Sequence, residues 1–337
     1  MLITIKNRQT GDIIFSHSDD KNTYRAAVEA AVSQKVSLAW ADLRGVDLRQ
    51  ASIAGINLSD ADLTESHLGG ANITDTSFER AILSGAQLQA AVCNNANFSL
   101  AQCKGINLSD SICRSSQFCG AAAQGAVMTQ ADMTDADLSN ANLQGSFAFT
   151  ATFKNAKLLN ASLQNAELVS CDLRDAVLRG VDGASASFQN SDLRGAVLDE
   201  ARLIGTNING APFIGAYLGS AALRDCDLSA IRDDFFALLS AAPSSIGVLI
   251  SFLKVGSLKG YLMQEGDEYG TLSKILMANP VSSTARYFRK DTYRYAEMFA
   301  LAIAEGDTPL ENPFSAILLE WTELWLERMK ATFGVRQ

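Results

Sequence analysis

An apolar residue recurs at every fifth position from Leu38 to Leu228, and the register does not slip over that stretch. Of the 39 positions, 33 hold Leu, Phe, Ile or Met, and the residue two places before each position is Ala in 25 cases. A period of five matches neither the two-residue alternation of a strand nor the 3.6-residue turn of an α-helix. The pattern therefore predicts a repeat architecture along residues 36–230, in which short units stack on one another.

The repeating unit reads A-(D/N)-L-x-x, as in ADMTDADLSNANL over residues 131–143. This unit resembles that of the pentapeptide-repeat family, and the resemblance covers residues 36–230. It implies a β-solenoid, namely a right-handed quadrilateral β-helix with four pentapeptides per coil. It also implies that each apolar centre and the residue two places before it point inward, and that residues twenty apart stack at about 4.8 Å. At four units per coil, the 39 units give nine to ten coils.

The sizes of the central residues compensate for one another, which supports four faces per coil. Phe98 and Phe118 belong to one predicted face. The centres around them are small, namely Cys93, Cys103, Cys113 and Ala123. Gly183 is likewise followed by Phe188 at the next centre. A core with the packing density of a crystal requires such compensation.

Segments of a different character flank the repeats. Residues 1–35 are predicted to form a β-hairpin over 2–16 and a helix over 20–34, which together would cap the first coil. Past Ala230 the period of five stops, and residues 231–337 are predicted to form an all-α domain large enough to bury its own core. This tail is similar to those of pentapeptide-repeat proteins of phage and prophage origin, a loose resemblance that implies no chemistry.

The charge of the chain is concentrated in the repeats. The whole chain has a net charge of −9, and residues 36–230 hold 20 acids and 12 bases, a net charge of 12 − 20 = −8. We expect no direct nucleic-acid binding, because neutralising phosphates requires a basic surface. The longest apolar run, residues 246–253, is too short to span a bilayer, and the first residues lack the pattern of a signal peptide. We therefore expect no membrane association and a cytoplasmic location.

The sequence contains no motif for catalysis, cofactor binding or metal binding. His17 and His67 lie in unrelated segments, and the six cysteines form no C-x-x-C pair, so a zinc site is not expected. Glycine motifs that bind phosphate and the H-E-x-x-H motif of zinc proteases are absent. We therefore expect a non-enzymatic protein without a cofactor.

Two charged columns on the outside of the solenoid are candidate interaction residues. With a stack of twenty residues, bases fall on one line and acids on the line beside it, which keeps unlike charges adjacent. The basic column holds Arg114, Lys154, Arg174 and Arg194, and the acidic column holds Asp132, Asp172 and Asp192. The columns are either a solvated, ion-paired face or a stripe that binds a partner.

Four aromatic residues are further candidates for an interaction surface. Phe147 and Phe149 occupy outward positions on either side of the central Ala148. They are either exposed, as interface aromatics are, or folded over Ala148 to fill its space. In the tail, Trp321 and Trp325 belong to an apolar stripe with helical spacing.

Two functions from different classes remain open. The first is a non-enzymatic protein-interaction scaffold, a rod that binds a protein partner through its charged columns, its helical domain or both, and that could form a homodimer. The alternative, implied by the family resemblance, is a DNA mimic that interacts with gyrase or topoisomerase, as quinolone-resistance pentapeptide proteins do. The 12 bases of the repeat region weigh against the mimic, because they interrupt any acidic face.

Overall fold

The computed structural model describes most of the repeat region and the segment before it. The described residues are 2–18, 23–213, 216, 221 and 226. The predicted all-α domain over 231–337 lies outside the described residues, and so do Trp321 and Trp325. The boundaries of this domain and its helical character therefore stay predictions.

A β-hairpin precedes the repeats, as the sequence predicts. Strand β1 (Ile3–Lys6) pairs antiparallel with strand β2 (Ile13–His17). Ile5 and Phe15 face each other in this pairing, and both side chains are buried. The connection contains Gly11, whose φ of +76° lies in the region that only glycine adopts freely.

Helix α1 (Tyr24–Ser33) follows the hairpin and lies within the predicted helical segment. It begins after Thr23, whose hydroxyl oxygen accepts a hydrogen bond of 3.1 Å from the Ala26 N–H. Threonine commonly satisfies a free N–H in this way at a helix start. The apolar face of α1 packs into the core through Ala27, Val28 and Ala31.

The N-terminal segment bonds directly to the backbone of the first coil. The Asp42 N–H donates to the Lys6 carbonyl at 2.8 Å, and the Arg8 N–H donates to the Trp40 carbonyl at 2.8 Å. The Arg8 guanidinium lies 5.2 Å from the centre of the Trp40 ring, within cation–π range. Glu29 of α1 accepts a further backbone hydrogen bond of 3.0 Å from this coil. These bonds pair part of the edge of the first coil with the N-terminal segment.

Backbone bridges join residues that are twenty positions apart throughout the repeats. They run in parallel from the Asp42–Asp62 pair to the Ser187–Asn207 pair. In one such contact the Asp62 N–H donates to the Ala41 carbonyl at 2.8 Å. Each coil therefore contains four pentapeptides, and the predicted spacing of twenty is confirmed.

The four pentapeptides of a coil define four faces, which we number by their central residues. The centres of face 1 begin at Leu38, those of face 2 at Leu43, those of face 3 at Leu48 and those of face 4 at Ile53, each continuing in steps of twenty. The centres and the residues two places before them are buried in one continuous core. The residues directly before and after each centre form the outer surface of the face.

Every corner between two faces has the same backbone conformation. All residues from 35 to 210 whose number is a multiple of five have a positive φ, between 55° and 72°. Only 12 of these corner residues are Gly, so most corners carry a Cβ in a conformation that costs about 1–2 kcal/mol. The surrounding hydrogen bonds offset this cost. At the first corner, for example, the Ala41 N–H donates to the Leu38 carbonyl across Trp40 at 3.1 Å.

Large and small centres alternate inside the core as the sequence predicts. Phe78, Phe98 and Phe118 stack along face 1, with ring centroids 5.0 Å and 4.5 Å apart. The buried centres of adjacent faces are small at these levels, namely Cys93, Cys103, Cys113 and Ala123. At Gly183 a Cβ would lie 2.8 Å from Leu203 Cδ2, so the neighbouring side chain already occupies the space.

Candidate interaction surfaces

Face 4 brings the predicted acidic residues into one column. Bridges join Asp132 to Thr152, Thr152 to Asp172, and Asp172 to Asp192. On the other side of the face 4 centres, the same twenty-residue step gives the basic column. Its members are Arg114, Thr134, Lys154, Arg174 and Arg194.

The two columns are joined by ion pairs. Arg174 donates to Asp172 through Nε at 2.8 Å and through Nη2 at 2.6 Å, and its Nε lies 3.7 Å from Asp192. Arg194 donates through Nε to Asp192 at 2.8 Å. Two parallel bonds between a guanidinium and a carboxylate fix the geometry of both side chains. Ion pairs that are exposed to solvent add little to stability, so the pairing mainly sets the shape and charge of the surface.

The pairing keeps the carboxylates of face 4 ionised. The Arg174 guanidinium hydrogen-bonds to Asp172 and lowers the pKa of that carboxyl, and partial burial opposes this shift. Arg194 lowers the pKa of Asp192 in the same way. At neutral pH both acids are therefore charged, and their charge is largely neutralised by the adjacent arginines.

The bidentate pairing within one pentapeptide was not predicted from the sequence. The sequence signal is a repeated D-L-R unit, in which the acid precedes the centre and the arginine follows it. The two side chains lie on the same side of an extended backbone, because residues two apart share a face. The unit recurs in the first coils, where Asp42 pairs with Arg44 at 2.7 Å and Asp47 with Arg49 at 2.6 Å.

Lys154 differs from the other bases in its column. Arg114 bonds to Asp132 of the next coil at 2.6 Å, and the two remaining arginines are paired as described above. Lys154 forms no ion pair within 4.0 Å of a described acid. The reason is local, since Thr152 stands where the D-L-R unit has its aspartate. Face 4 therefore presents one cation that forms no direct ion pair with a described acid, although its charge helps to lower the pKa of Asp172.

The aromatic pair lies on face 3, in the same coil as Lys154. Phe147 and Phe149 are 44% and 39% exposed, and their ring centroids are 6.4 Å apart at an angle of 20°. The central Ala148 between them is fully buried. Of the two predicted alternatives, the structure has the exposed one, because strand alternation holds both rings on the outside of the coil.

A shallow depression of about 570 Å³ lies at the start of face 3. Its lining includes Arg49, Glu65, His67 and Gln87, and it forms where Gly85 and other glycines carry no side chain. Gln87 is held by its own hydrogen bond to the Gly85 carbonyl at 2.7 Å. Within residues 2–18 and 23–213, no group of His, Cys, Asp and Glu is arranged to hold a metal ion. No helix in that part of the chain is long and apolar enough to cross a membrane.

A continuous stack of four-sided coils places the molecule among the β-solenoid proteins. The family model described as pentapeptide repeats matches the chain in eight copies. The matched residues are 41–80, 111–147, 151–182 and 184–219. The repeat region is therefore of the pentapeptide-repeat type, and pentapeptide-repeat proteins form right-handed β-helices.

Three solved structures are similar to parts of the chain. The pentapeptide repeat protein Rfr23 from the cyanobacterium Cyanothece 51142 is 30% identical, with 28% of this chain and 62% of that chain covered, at a TM-score of 0.26. HetL, a pentapeptide repeat protein involved in heterocyst differentiation regulation from Nostoc sp. strain PCC 7120, is 22% identical. The match covers 60% of this chain and 94% of HetL, at a TM-score of 0.25.

The third structure is QnrB1, a plasmid-mediated fluoroquinolone resistance protein, which is 16% identical to this chain. The match covers 57% of this chain and 93% of QnrB1, at a TM-score of 0.27. This chain spans less than two thirds of the length of Rfr23. A search of curated proteins found no match.

Proposed function

We propose that the protein is a non-enzymatic scaffold that binds a protein partner through face 4. The observation that carries this proposal is the ladder of backbone bonds, which holds charged side chains at constant spacing along one side of a rod. The N-terminal hairpin and α1 act as the cap of the rod, and residues 231–337 form a helical domain that offers a second contact surface. The proposal includes nine to ten coils over residues 36–230.

Lys154 is the position on face 4 where a partner gains most. An acid of the partner that pairs with Arg174 or Arg194 must compete with an existing bidentate pair. An acid that pairs with Lys154 breaks no direct ion pair with a described acid, and it competes only with the weaker attraction of Lys154 to Asp172. We therefore expect a partner with an acidic side chain opposite Lys154 and with alternating charges on either side.

A charge reversal at Lys154 tests this proposal. Lys154→Glu should abolish capture of the partner from extracts of the native host by the full-length protein. Lys104→Glu is the matched control, because Lys104 lies on face 2, is exposed and forms no ion pair with a described acid. Equal capture by the wild type and by both variants would show that face 4 is not the binding surface. Loss of the partner on removal of residues 231–337 would assign the contact to the helical domain instead.

DNA mimicry toward gyrase or topoisomerase is the second candidate function. The feature that favours it is the excess of 20 acids over 12 bases in residues 36–230. The ion pairs on face 4 and in the first coils oppose it, because a mimic needs a continuous line of unneutralised charge. A supercoiling assay over a wide protein titration tests it. If the protein neither inhibits nor protects gyrase at any concentration, DNA mimicry is eliminated.

A further inference from the structure

Face 3 has a different charge from the other faces. Between Gly69 and Asn209, Glu167 is the one charged residue that directly flanks a face 3 centre. The other flanking positions hold amides, hydroxyls and apolar side chains. Faces 1 and 2 carry ion pairs in their outer rows, such as Arg179–Asp199 and Arg202–Asp182, and face 4 carries the charged columns. Between Gly69 and Asn209, face 3 is therefore nearly uncharged.

Apolar side chains flank three successive centres in the middle of face 3, and Glu167 is the one charge among them. Phe147 is bridged to Val127 in the coil before it and to Glu167 in the coil after it, and Phe149 lies on the other side of the centre. Val169 continues the row of Phe149 into the next coil. Exposed aromatic side chains with apolar neighbours are enriched where proteins associate.

We propose that face 3 binds a second copy of this chain side by side, with Phe147 and Phe149 at the centre of a two-fold contact. Two-fold symmetry places a surface against itself, so every charge meets a like charge from the same region. The chain has a net charge of −9, and a contact through an acidic face is opposed by repulsion. Face 3 reduces that repulsion, because Glu167 is its one flanking charge between Gly69 and Asn209, and its aromatic pairs can stack on those of the second copy.

The size of face 3 sets the strength of the dimer. The nearly uncharged stretch covers seven coil steps, or roughly 34 Å at about 4.8 Å per step, and its width of three extended residues is about 10 Å. The flat area is then roughly 340 Å² per copy, below the roughly 800 Å² of a stable interface. We therefore expect a reversible dimer with a Kd in the range of tens of micromolar or higher. The contact leaves face 4 of both copies free, so it goes beyond the scaffold function.

Sedimentation equilibrium of the full chain over about 5–500 µM tests the dimer. The wild type should show a concentration-dependent dimer, and Phe147→Ser with Phe149→Ser should raise its Kd at least tenfold. Leu100→Ser is the control, because Leu100 is 58% exposed and lies at the corner between faces 1 and 2. The control should leave the Kd unchanged within about twofold.

A second variant leaves the aromatic pair in place. Thr129→Asp adds a charge to face 3 in the coil next to the rings, and the two-fold contact brings two such charges close together. The Kd should rise at low salt and recover toward the wild-type value at high salt, because salt screens exposed charges. Ser99→Asp adds the same charge at the equivalent position of face 1 and should have no effect.

Three results would overturn the proposal. The first is a wild-type monomer across the whole range, which is also the outcome if residues 231–337 of the same chain cover face 3. The second is a dimer that the double Phe variant and Thr129→Asp leave unchanged. The third is equal weakening by the controls. Failure of the scaffold proposal is distinguishable, because Lys154→Glu changes partner capture and not dimerisation.

Discussion

The packing of one coil can be tested by exchanging volume between two adjacent centres. Phe98 stacks between two other rings, and Cys103 is the next centre of the same coil, with both side chains fully buried. Phe98→Leu and Cys103→Leu should each destabilise the coil. Together the two changes create the same pair of centres that an earlier coil has in Leu58 and Leu63. The double variant should therefore destabilise its coil by less than the sum of the two single changes.

The magnitudes follow from the size of each change. Phe98→Leu leaves a small cavity and removes two ring contacts, at a cost of about 1–2 kcal/mol out of the roughly 3–5 kcal/mol for complete truncation of a Phe side chain. Cys103→Leu overpacks the coil and costs about 1–3 kcal/mol. In the double variant the added leucine occupies the space vacated by the ring. We expect a favourable coupling free energy of about 1–3 kcal/mol between the two changes.

Hydrogen exchange of the coil-to-coil amides measures these free energies locally. The Phe98 N–H donates to the Gln117 carbonyl at 2.6 Å, and the Cys103 N–H donates to the Ala122 carbonyl at 2.7 Å. The Leu173 amide, several coils away, serves as the control, because a solenoid unit contacts only its neighbours. Additive effects of the two single changes, within about 0.5 kcal/mol, would refute volume compensation.

Three further predictions concern buried and charged groups, and each is measured on the full chain. Ser191→Ala should lower the stability of its coil, measured by hydrogen exchange, by about 1–3 kcal/mol, because the Ser191 hydroxyl accepts a backbone N–H at 2.8 Å. Ser66→Ala should not lower the stability of its coil, because the Ser66 hydroxyl has no hydrogen-bond partner among the described residues. Gly183→Ala should cost about 1–3 kcal/mol, because the new Cβ lies 2.8 Å from Leu203 Cδ2, and Leu203→Ala should relieve the clash. Arg174 lowers the pKa of Asp172 in the folded protein. The contribution of this carboxyl to the free energy of unfolding is therefore complete above its unfolded pKa of about 4, and it is lost as the pH falls through the folded pKa. Urea unfolding at several pH values should show this acid-side loss in the wild type and less of it in Asp172→Asn.

The coil could be predicted from the sequence because one register assigns every inward position at once. The corners show the strength of that register. Trp40, Leu100 and Thr150 all have a positive φ, which their own side chains disfavour, because the repeat places each of them at a corner. Local propensity alone predicts these three conformations wrongly. The bonded context of the neighbouring coils determines them.

For the surface, the sequence predicts the charged columns but not the pairing of individual side chains. The step of twenty places Asp172 and Asp192 in one line, but the choice of partner for each arginine depends on side-chain rotamers that no spacing encodes. The orientation of Phe147 and Phe149 was open for a similar reason, since a small centre permits either exposure or inward packing. The structure decides it, because Ala148 is buried and both rings lie outside the coil.

The step of twenty residues also limits which changes of length this surface tolerates. Removal of one whole coil shortens the rod but leaves every later residue on its original face, so the charged columns are merely one level shorter. Removal of a single pentapeptide keeps the inward pattern, yet it rotates everything after it by a quarter turn. If the five residues are lost between Lys154 and Asp172, the arginines beyond them move from face 4 to face 3. A deletion of this length would therefore divide the charged columns between two faces, while every apolar centre still points inward.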